Sequence, residues 1–286
     1  MTAPTFAPID PLPPAPLPPA PTPTPAARPE RLGRHPVVRT VALVLGGLLS
    51  VWAIGFGTFL AANMLVRTEE NETRVIEGRV DRVVVSVTGS VLIEAGPADR
   101  SEIDRSTEFG FSRPGVIQRL RAGVLTVEID CDDAGLICNS RVELVVPSDV
   151  DVEVSAERVE IADITGDIDL DTNSGSVELT RVSGAVDARV GGGSVIGRDL
   201  TSEVVRAQAG AGSVELQFTR PPRDVDVTAG AGSVQVLVPP GPETYRVDAQ
   251  AGAGDAKVEI DTDRGSDRTI RAQAGAGDVK VRYTAG

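Results

Sequence analysis

The sequence predicts an all-β fold: a β-solenoid exported domain with coils of about 20 residues, preceded by one transmembrane α-helix and a disordered Pro-rich tail. Three observations lead to this prediction. Glycine-rich repeats recur through the second half of the chain, alternating polar and apolar residues follow them, and an uncharged apolar stretch lies before them. Valine, alanine and glycine carry the composition, with only 3% aromatic residues. A core built largely of valine is typical of strands.

The repeats define the predicted coils. Ala-Gly-Ala-Gly occurs four times, and looser copies read Ser-Gly-Ser-Val and Gly-Gly-Ser-Val. We assign seven glycines to the repeated turns: Gly166, Gly175, Gly193, Gly212, Gly232, Gly254 and Gly277. From the second of these onward the steps are 18, 19, 20, 22 and 23 residues. Two short strands with their turns fill such a step, so each step is predicted to be one coil.

A short strand pattern follows each turn. Val177 and Leu179 are expected to face the core, whereas Ser176 and Glu178 face solvent. Equivalent residues of successive coils would then stack about 4.8 Å apart. Glycine recurs where the chain turns because it reaches backbone angles that other residues avoid. The alternative architecture is an antiparallel β-sandwich, whose strands also recur about every 8–12 residues.

Composition divides the chain into four segments. Residues 1–36 are predicted to be a disordered cytoplasmic tail, since the first 30 residues include twelve prolines. Residues 37–66 are predicted to be a transmembrane helix and residues 67–79 a polar tether. Residues 80–286 form the predicted exported domain. Within it, residues 97–140 interrupt the repeat and are interpreted as a cap or a binding insertion.

The apolar stretch predicts a single membrane span. Residues 40–66 carry no charge, and a bilayer span needs about 20 apolar positions. Arginines precede this stretch and glutamates follow it, which predicts a cytoplasmic N-terminus and an extracytoplasmic C-terminal domain at the plasma membrane. A cleaved signal peptide is the alternative. The 39 residues before the uncharged stretch are too many for a typical signal peptide.

Charge excludes one class of partner. From residue 67 onward there are 24 Lys and Arg residues against 39 Asp and Glu residues. The resulting negative field repels nucleic-acid phosphates, so no nucleic-acid partner is expected.

Few residue types with catalytic chemistry are present. Cys131 and Cys138, the two cysteines, are predicted to form a structural disulfide in the exported domain. The single histidine, His35, precedes the span, so neither a Ser-His-Asp nor a Cys-His arrangement fits the exported domain. A metal site needs more ligands than the cysteine pair. We therefore assign no catalytic, cofactor-binding or metal-binding residue and expect no cofactor.

Carboxylates are plentiful, so a polysaccharide-acting enzyme stays open as an alternative. Asp167, Asp169 and Asp171 alternate with apolar residues, which is typical of the outward face of a strand. Sugar-binding grooves usually have aromatic platforms, and the aromatic residues here are few and scattered. The sequence thus favours a protein that is not an enzyme.

Residues 80–283 resemble the bacterial putative-adhesin domain of unknown function. The resemblance rests on Gly-[Ser/Asp]-[Val/Ile] turns, which start here at Gly166, Gly175, Gly193, Gly212, Gly232 and Gly277. It implies a β-helical surface domain and no catalytic residues.

The leading hypothesis for function is a membrane-anchored, non-enzymatic cell-surface protein that acts in adhesion, binding or envelope scaffolding. Its partners would be the membrane and an unidentified surface ligand or wall component. A second hypothesis is an envelope-stress sensor or regulator, in which the Pro-rich tail contacts a cytoplasmic partner. The polysaccharide-acting β-helix enzyme is the third.

Overall fold

The computed structural model describes the backbone of residues 36–65, 68–110, 112–131 and 138–284, with helix side chains described for residues 44–59. The predicted Pro-rich tail, up to residue 35, lies outside the described residues. The elements are α1 Pro36–Leu65, β1 Thr68–Glu77, β2 Arg82–Val87, β3 Gly89–Gly96, β4 Arg100–Phe109, β5 Gly115–Arg121, β6 Val124–Asp130, β7 Cys138–Pro147, β8 Asp151–Ser155, β9 Arg158–Ala162, β10 Ile168–Thr180, β11 Val186–Leu200, β12 Val204–Ala211, β13 Val214–Phe218, β14 Asp224–Ala231, β15 Val234–Val238, β16 Arg246–Ala253, β17 Ala256–Glu259, β18 Thr269–Ala276 and β19 Val279–Tyr283.

The helix α1 is 30 residues long and starts at a proline, which fits the first helical turn because no backbone donor is needed there. Among the described residues, no helix is long and apolar enough to cross a membrane.

The strands form one 19-stranded sheet that contains two long ladders. The first ladder runs β6, β2, β8, the first half of β10, the first half of β11, β12, β14, β18 and β16. The second runs β7, β3, β9, the second halves of β10 and β11, β13, β15, β19 and β17. Each pass of the chain adds one strand to each ladder, and we call such a pass a coil.

Pairing within the two ladders is parallel, and the prediction of an all-β fold is confirmed. Val177, Val195, Val214, Val234 and Val279 occupy one position in consecutive strands of the second ladder. This parallel register does not fit the antiparallel β-sandwich that the sequence left open. Antiparallel pairs link β1 with β4, β4 with β7, and β5 with β6.

Coil order in space departs from coil order in the sequence at both ends. The coil of β18 and β19 lies between the coil of β14 and β15 and that of β16 and β17. At the other end, β2 and β3 lie between the β6–β7 coil and the β8–β9 coil. The last coil along the stack is therefore β16–β17, which we call the outer coil.

The core follows from the alternation of side chains. Inward positions are mostly Val, Ile and Leu, and Val177, Val195, Val214 and Val279 are fully buried. Burying each such side chain stabilises the fold by about 1.5–3 kcal/mol. Alanine takes the inward positions Ala207, Ala229 and Ala272, three to five residues before the turn glycines Gly212, Gly232 and Gly277. Stacking of small and branched residues thus fills the core without large aromatic rings.

One predicted segment has a different structure from the one expected. The sequence predicts a polar tether over residues 67–79, whereas Thr68–Glu77 forms β1, antiparallel to β4. The reason is tertiary: β1 supplies carboxylates to the buried Arg105 of β4. Residues 97–140 contain β4, β5 and β6, so this segment contributes one coil strand and two antiparallel strands that extend the ladders.

Candidate functional site

Six of the seven predicted turn glycines lie at one corner of the stack, which we call the glycine corner: Gly175, Gly193, Gly212, Gly232, Gly277 and Gly254, in spatial order. All six have φ between 125° and 143°. A Cβ on Gly193 would overlap the carbonyl oxygen of Gly175 one coil away. The corner therefore requires glycine for both its backbone angle and its close approach. Gly166 lies apart, at the opposite corner, where its missing Cβ leaves room for Val150.

A ladder of short polar side chains runs beside the glycine corner. The backbone N–H groups of Ser233 and Asp278 donate to Ser213 Oγ and Ser233 Oγ, at 3.2 and 3.4 Å. The N–H of Asp255 donates to Asp278 Oδ1 at 3.1 Å. Serine and aspartate after the last glycine thus satisfy the backbone of the next coil. Across the described residues, no group of three or more His, Cys, Asp or Glu side chains could hold a metal ion.

The structure joins Cys131 and Cys138 in a disulfide, with a Cα–Cα distance of 5.9 Å. The bridge connects the end of β6 with the start of β7, the two strands of one coil. Cys138 lies opposite Phe109 of β4 in the ladder. The bond therefore links the two strands of the first coil of the stack.

An acidic cleft of about 280 Å³ lies on the outward side of the first ladder. Asp151, Asp167 and Asp169 line it together with Arg82 and Arg206. Asp151 Oδ1 accepts the N–H of Asp167 at 3.2 Å, and Asp167 Oδ1 accepts that of Ala185 at 2.9 Å. These two carboxylates cap the backbone at the opposite corner, so they have a structural part. Asp167, Asp169 and Asp171 are all exposed.

The sequence analysis does not find an ion pair that has a buried arginine. Arg105 is 5% exposed, and its Nη2 lies 2.6 Å from Glu72 Oε2 and 3.8 Å from Glu70 Oε1. Its Nε has no hydrogen-bond partner in the described structure, and the same holds for Thr107 Oγ1. The one available signal was the alternation of β4, which places Arg105 in line with Ile103 and Thr107 on the inward side.

The outer coil leaves the stack open at one end. β16 pairs with β18 and β17 with β19, and among the described residues neither has a strand on its other side. Val258 is 41% exposed, although the aligned Val281 and Val236 of the inner coils are fully buried. A cleft of about 500 Å³ opens between β16 and β17 of the outer coil, and Val247, Val258 and Ile260 are among the residues that line it.

The fold is thus an all-β stack of parallel coils with small-residue corners. The family described as Toastrack DUF4097 matches residues 142–285, about half of the chain, and the chain belongs to this family. This membership confirms the recognition made from the glycine turns. A comparison with curated proteins finds no match.

Two solved structures resemble the chain weakly. One, from Clostridium sporogenes, is titled a putative cell adhesion protein, with 11% identity, a TM-score of 0.34, and coverage of 76% of this chain and 100% of that one. The other, from Bacteroides fragilis, is titled a putative adhesin, with 9% identity, a TM-score of 0.32, and coverage of 75% and 97%. Both TM-scores are below 0.5, so the proposals below rest on the residues of this chain.

Proposed function

We propose that the chain is a membrane-attached, non-enzymatic binding protein of the cell surface, which acts in adhesion or as an envelope scaffold. The register of the outward rows supports this proposal most directly. Asp187, Arg206, Asp226, Arg271 and Asp248 occupy one position in five consecutive strands of the first ladder. Such a row presents charges about 4.8 Å apart on a stiff support. This β-solenoid surface suits a ligand that is itself repetitive, such as a wall polymer.

Attachment through α1 is part of the proposal. The run from Thr40 to Val66 carries no charge and is longer than the about 20 apolar residues that a bilayer span needs. Within this run, Trp52 and Ile54 are 66% and 67% exposed. Apolar side chains exposed on all sides of a helix are costly in water and suited to lipid. The arginines before the run and the glutamates after it favour a cytoplasmic N-terminus.

The topology is tested by labelling intact cells with a membrane-impermeant thiol reagent. One reporter cysteine is placed within residues 1–30 and another near the C-terminus; the native pair is joined in a disulfide. Labelling of the C-terminal site alone is expected. Labelling of the N-terminal site alone would place the acidic domain inside the cell and overturn the proposed location.

Binding is tested by attachment of cells, and of purified chain, to isolated envelope material. A deletion strain is expected to lose attachment, and the neutralising variant Asp187→Asn/Asp226→Asn to reduce it. Glu178→Gln/Glu215→Gln, on the outward side of the second ladder, is the matched control. Unchanged attachment and envelope integrity in the deletion strain would refute the proposed function.

A further inference from the structure

We propose that the outer coil is a self-association surface whose partner is a second copy of this chain, docked end to end about a two-fold axis. The inference goes beyond the proposed function, and it does not depend on where the chain resides. Three features of β16 and β17 carry it: an unfinished core, two adjacent lysines and a self-complementary charge pattern.

The first feature is the unfinished core. Val258 stands at a position that is completely buried one and two coils inward. Val247 is likewise half-buried, whereas the aligned Ile270 and Val225 are fully buried. In the described structure no helix or named strand covers these residues, and the one segment beside them is residues 261–263, whose Thr262 forms a parallel bridge with Tyr245 just before β16. The outer edges of both strands also present backbone groups suited to pairing with another strand.

The second feature is charge along the second ladder. Lys257 lies directly beside Lys280 of the neighbouring coil, in parallel register. Like charges on adjacent strands are unfavourable. Lys280 has Asp278 Oδ2 at 3.7 Å from its Nζ. Asp255 precedes Lys257 by two residues, as Asp278 precedes Lys280. A carboxylate supplied from beyond the outer coil would add an attractive contact on the exposed side of Lys257.

The third feature shows which chain can supply that carboxylate. The outer strand β17 reads Ala256-Lys257-Val258-Glu259, and all four residues are exposed. If two copies of β17 pair antiparallel around Val258, each Lys257 lies opposite Glu259 of the second copy, and the two valines meet. Directly opposed side chains in such pairs have Cβ atoms about 4.5–5.5 Å apart, close enough for ion pairing.

One two-fold axis serves both strands of the outer coil. An axis perpendicular to the stacking direction sets β17 antiparallel to its copy, and it does the same for β16. Such an isologous contact closes after two copies and buries both open cores at once. Charge disfavours the same contact at the opposite end of the stack, because its edge strand β1 contains Glu69, Glu70 and Glu72.

The pairing is tested by disulfide trapping with Val258→Cys in the full chain, purified in detergent. A self-opposed residue in an antiparallel pair meets the about 4.4–6.8 Å Cα–Cα range of a disulfide. Ser213→Cys, at an exposed turn of an inner coil, is the matched control. Rapid formation of a covalent dimer by Val258→Cys alone is expected. Equal trapping of both variants, or of neither, would overturn the proposal.

The charge pattern is tested by sedimentation of the same detergent-solubilised chain. Lys257→Glu and Glu259→Lys are each expected to weaken dimerisation about tenfold, because two attractive pairs become two repulsive ones. The double variant Lys257→Glu/Glu259→Lys exchanges the partners and is expected to restore most of the affinity. Both residues are exposed, so the fold should persist in all three variants. A dimer that ignores these changes, for example one held by α1, would refute the outer coil as the interface.

Discussion

Arg181 holds Asp163, which lies one coil away, with two hydrogen bonds: Nε and Nη2 donate to the two carboxylate oxygens at 2.6 and 2.7 Å. Both residues have left-handed backbone conformations, with φ of 53° and 64°, and Asp199 repeats the conformation with φ of 54°. Non-glycine residues adopt such angles rarely and at an energetic cost. The ion pair thus joins two turns, and each of them contains a residue in an unfavourable backbone conformation.

Replacing Asp163 by Asn should lower the melting temperature slightly at pH 7 and not at all in strong acid. Hydrogen bonding from Arg181 is the main cause that lowers the pKa of Asp163. A carboxyl whose pKa is lowered by folding stabilises the fold above its unfolded pKa, and that contribution disappears as pH falls through the folded value. The pair is exposed, so the effect stays small.

Thermal unfolding of wild type and Asp163→Asn between pH 7 and pH 2 checks this prediction. Asn tolerates the left-handed conformation, so the change removes charge without adding strain. Asp199→Asn, at the same backbone conformation, is the control. An Asp163→Asn deficit that persists at the lowest pH would show that the carboxylate charge is not its cause.

The glycine corner predicts that alanine substitutions at two adjacent glycines have very different effects on the free energy of unfolding. Gly193→Ala should lower the free energy of unfolding by at least about 3 kcal/mol, since it adds strain at a φ of 137° and an overlap with a backbone carbonyl. Gly192→Ala meets no atom within 4 Å and should change stability by less than about 1 kcal/mol. Urea unfolding of both variants provides the measurement, and similar losses in the two would contradict the proposed role of the corner.

The pair of Glu72 with the buried Arg105 predicts that neutralising Glu72 costs more than replacing Arg105 by an apolar residue. Glu72→Gln leaves the Arg105 guanidinium buried beside a neutral amide and should cost about 1–3 kcal/mol. Arg105→Met replaces the cation with an apolar group of similar length and should cost less. Denaturant unfolding compares the two, and amide hydrogen exchange should show that Glu72→Gln loosens β1. Glu69→Gln, also on β1, is the control.

The phenol of Tyr245 is expected to ionise at a higher pH than an exposed tyrosine. Burial is the main cause that raises the pKa of Tyr245 to about 12. Because the folded-state pKa is raised above about 10, the stabilising contribution is complete below that pH and is lost as pH rises towards 12. An ultraviolet titration of phenolate formation should show a step that disappears in Tyr245→Phe. If Tyr245→Phe leaves the titration unchanged, the assignment is wrong.

The same substitution has a stability signature. Tyr245 is 1% exposed, and its hydroxyl has no hydrogen-bond partner among the described residues. Tyr245→Phe should therefore leave stability unchanged or raise it by up to about 1 kcal/mol. Tyr245→Ala removes the whole ring and should cost about 3–5 kcal/mol.

The sequence was sufficient for the local features of the coils. Alternation identified the inward residues, such as Val177 and Leu179, and the repeated turns identified glycines whose positive φ the structure shows. It could not predict that Glu72 pairs with Arg105, since the two are 33 residues apart and no local pattern connects them. For the same reason the sequence predicts a tether where the structure has β1.

Coil order was also beyond the sequence pattern. Residues 206–212 and 271–277 have the same sequence, so turn and strand signals fit either neighbour equally well. The charges on neighbouring coils distinguish the two possible orders. In the observed order, Asp226 and Asp248 each lie beside Arg271. In the order of the sequence, the two aspartates would be adjacent. The open end of the stack, and with it the proposed interface, depends on this order.

The inserted last coil has a consequence for biosynthesis. The strands β16 and β17 leave the ribosome before β18 and β19 do, and at that moment the free edge of β14 and β15 is the surface they match. The finished stack requires that place for the segment synthesised last. The final step of folding is therefore a competition for the edge of β14 and β15. The strands β16 and β17 can reach this edge first, and β18 and β19 can occupy it fully only after Tyr283 has left the ribosome.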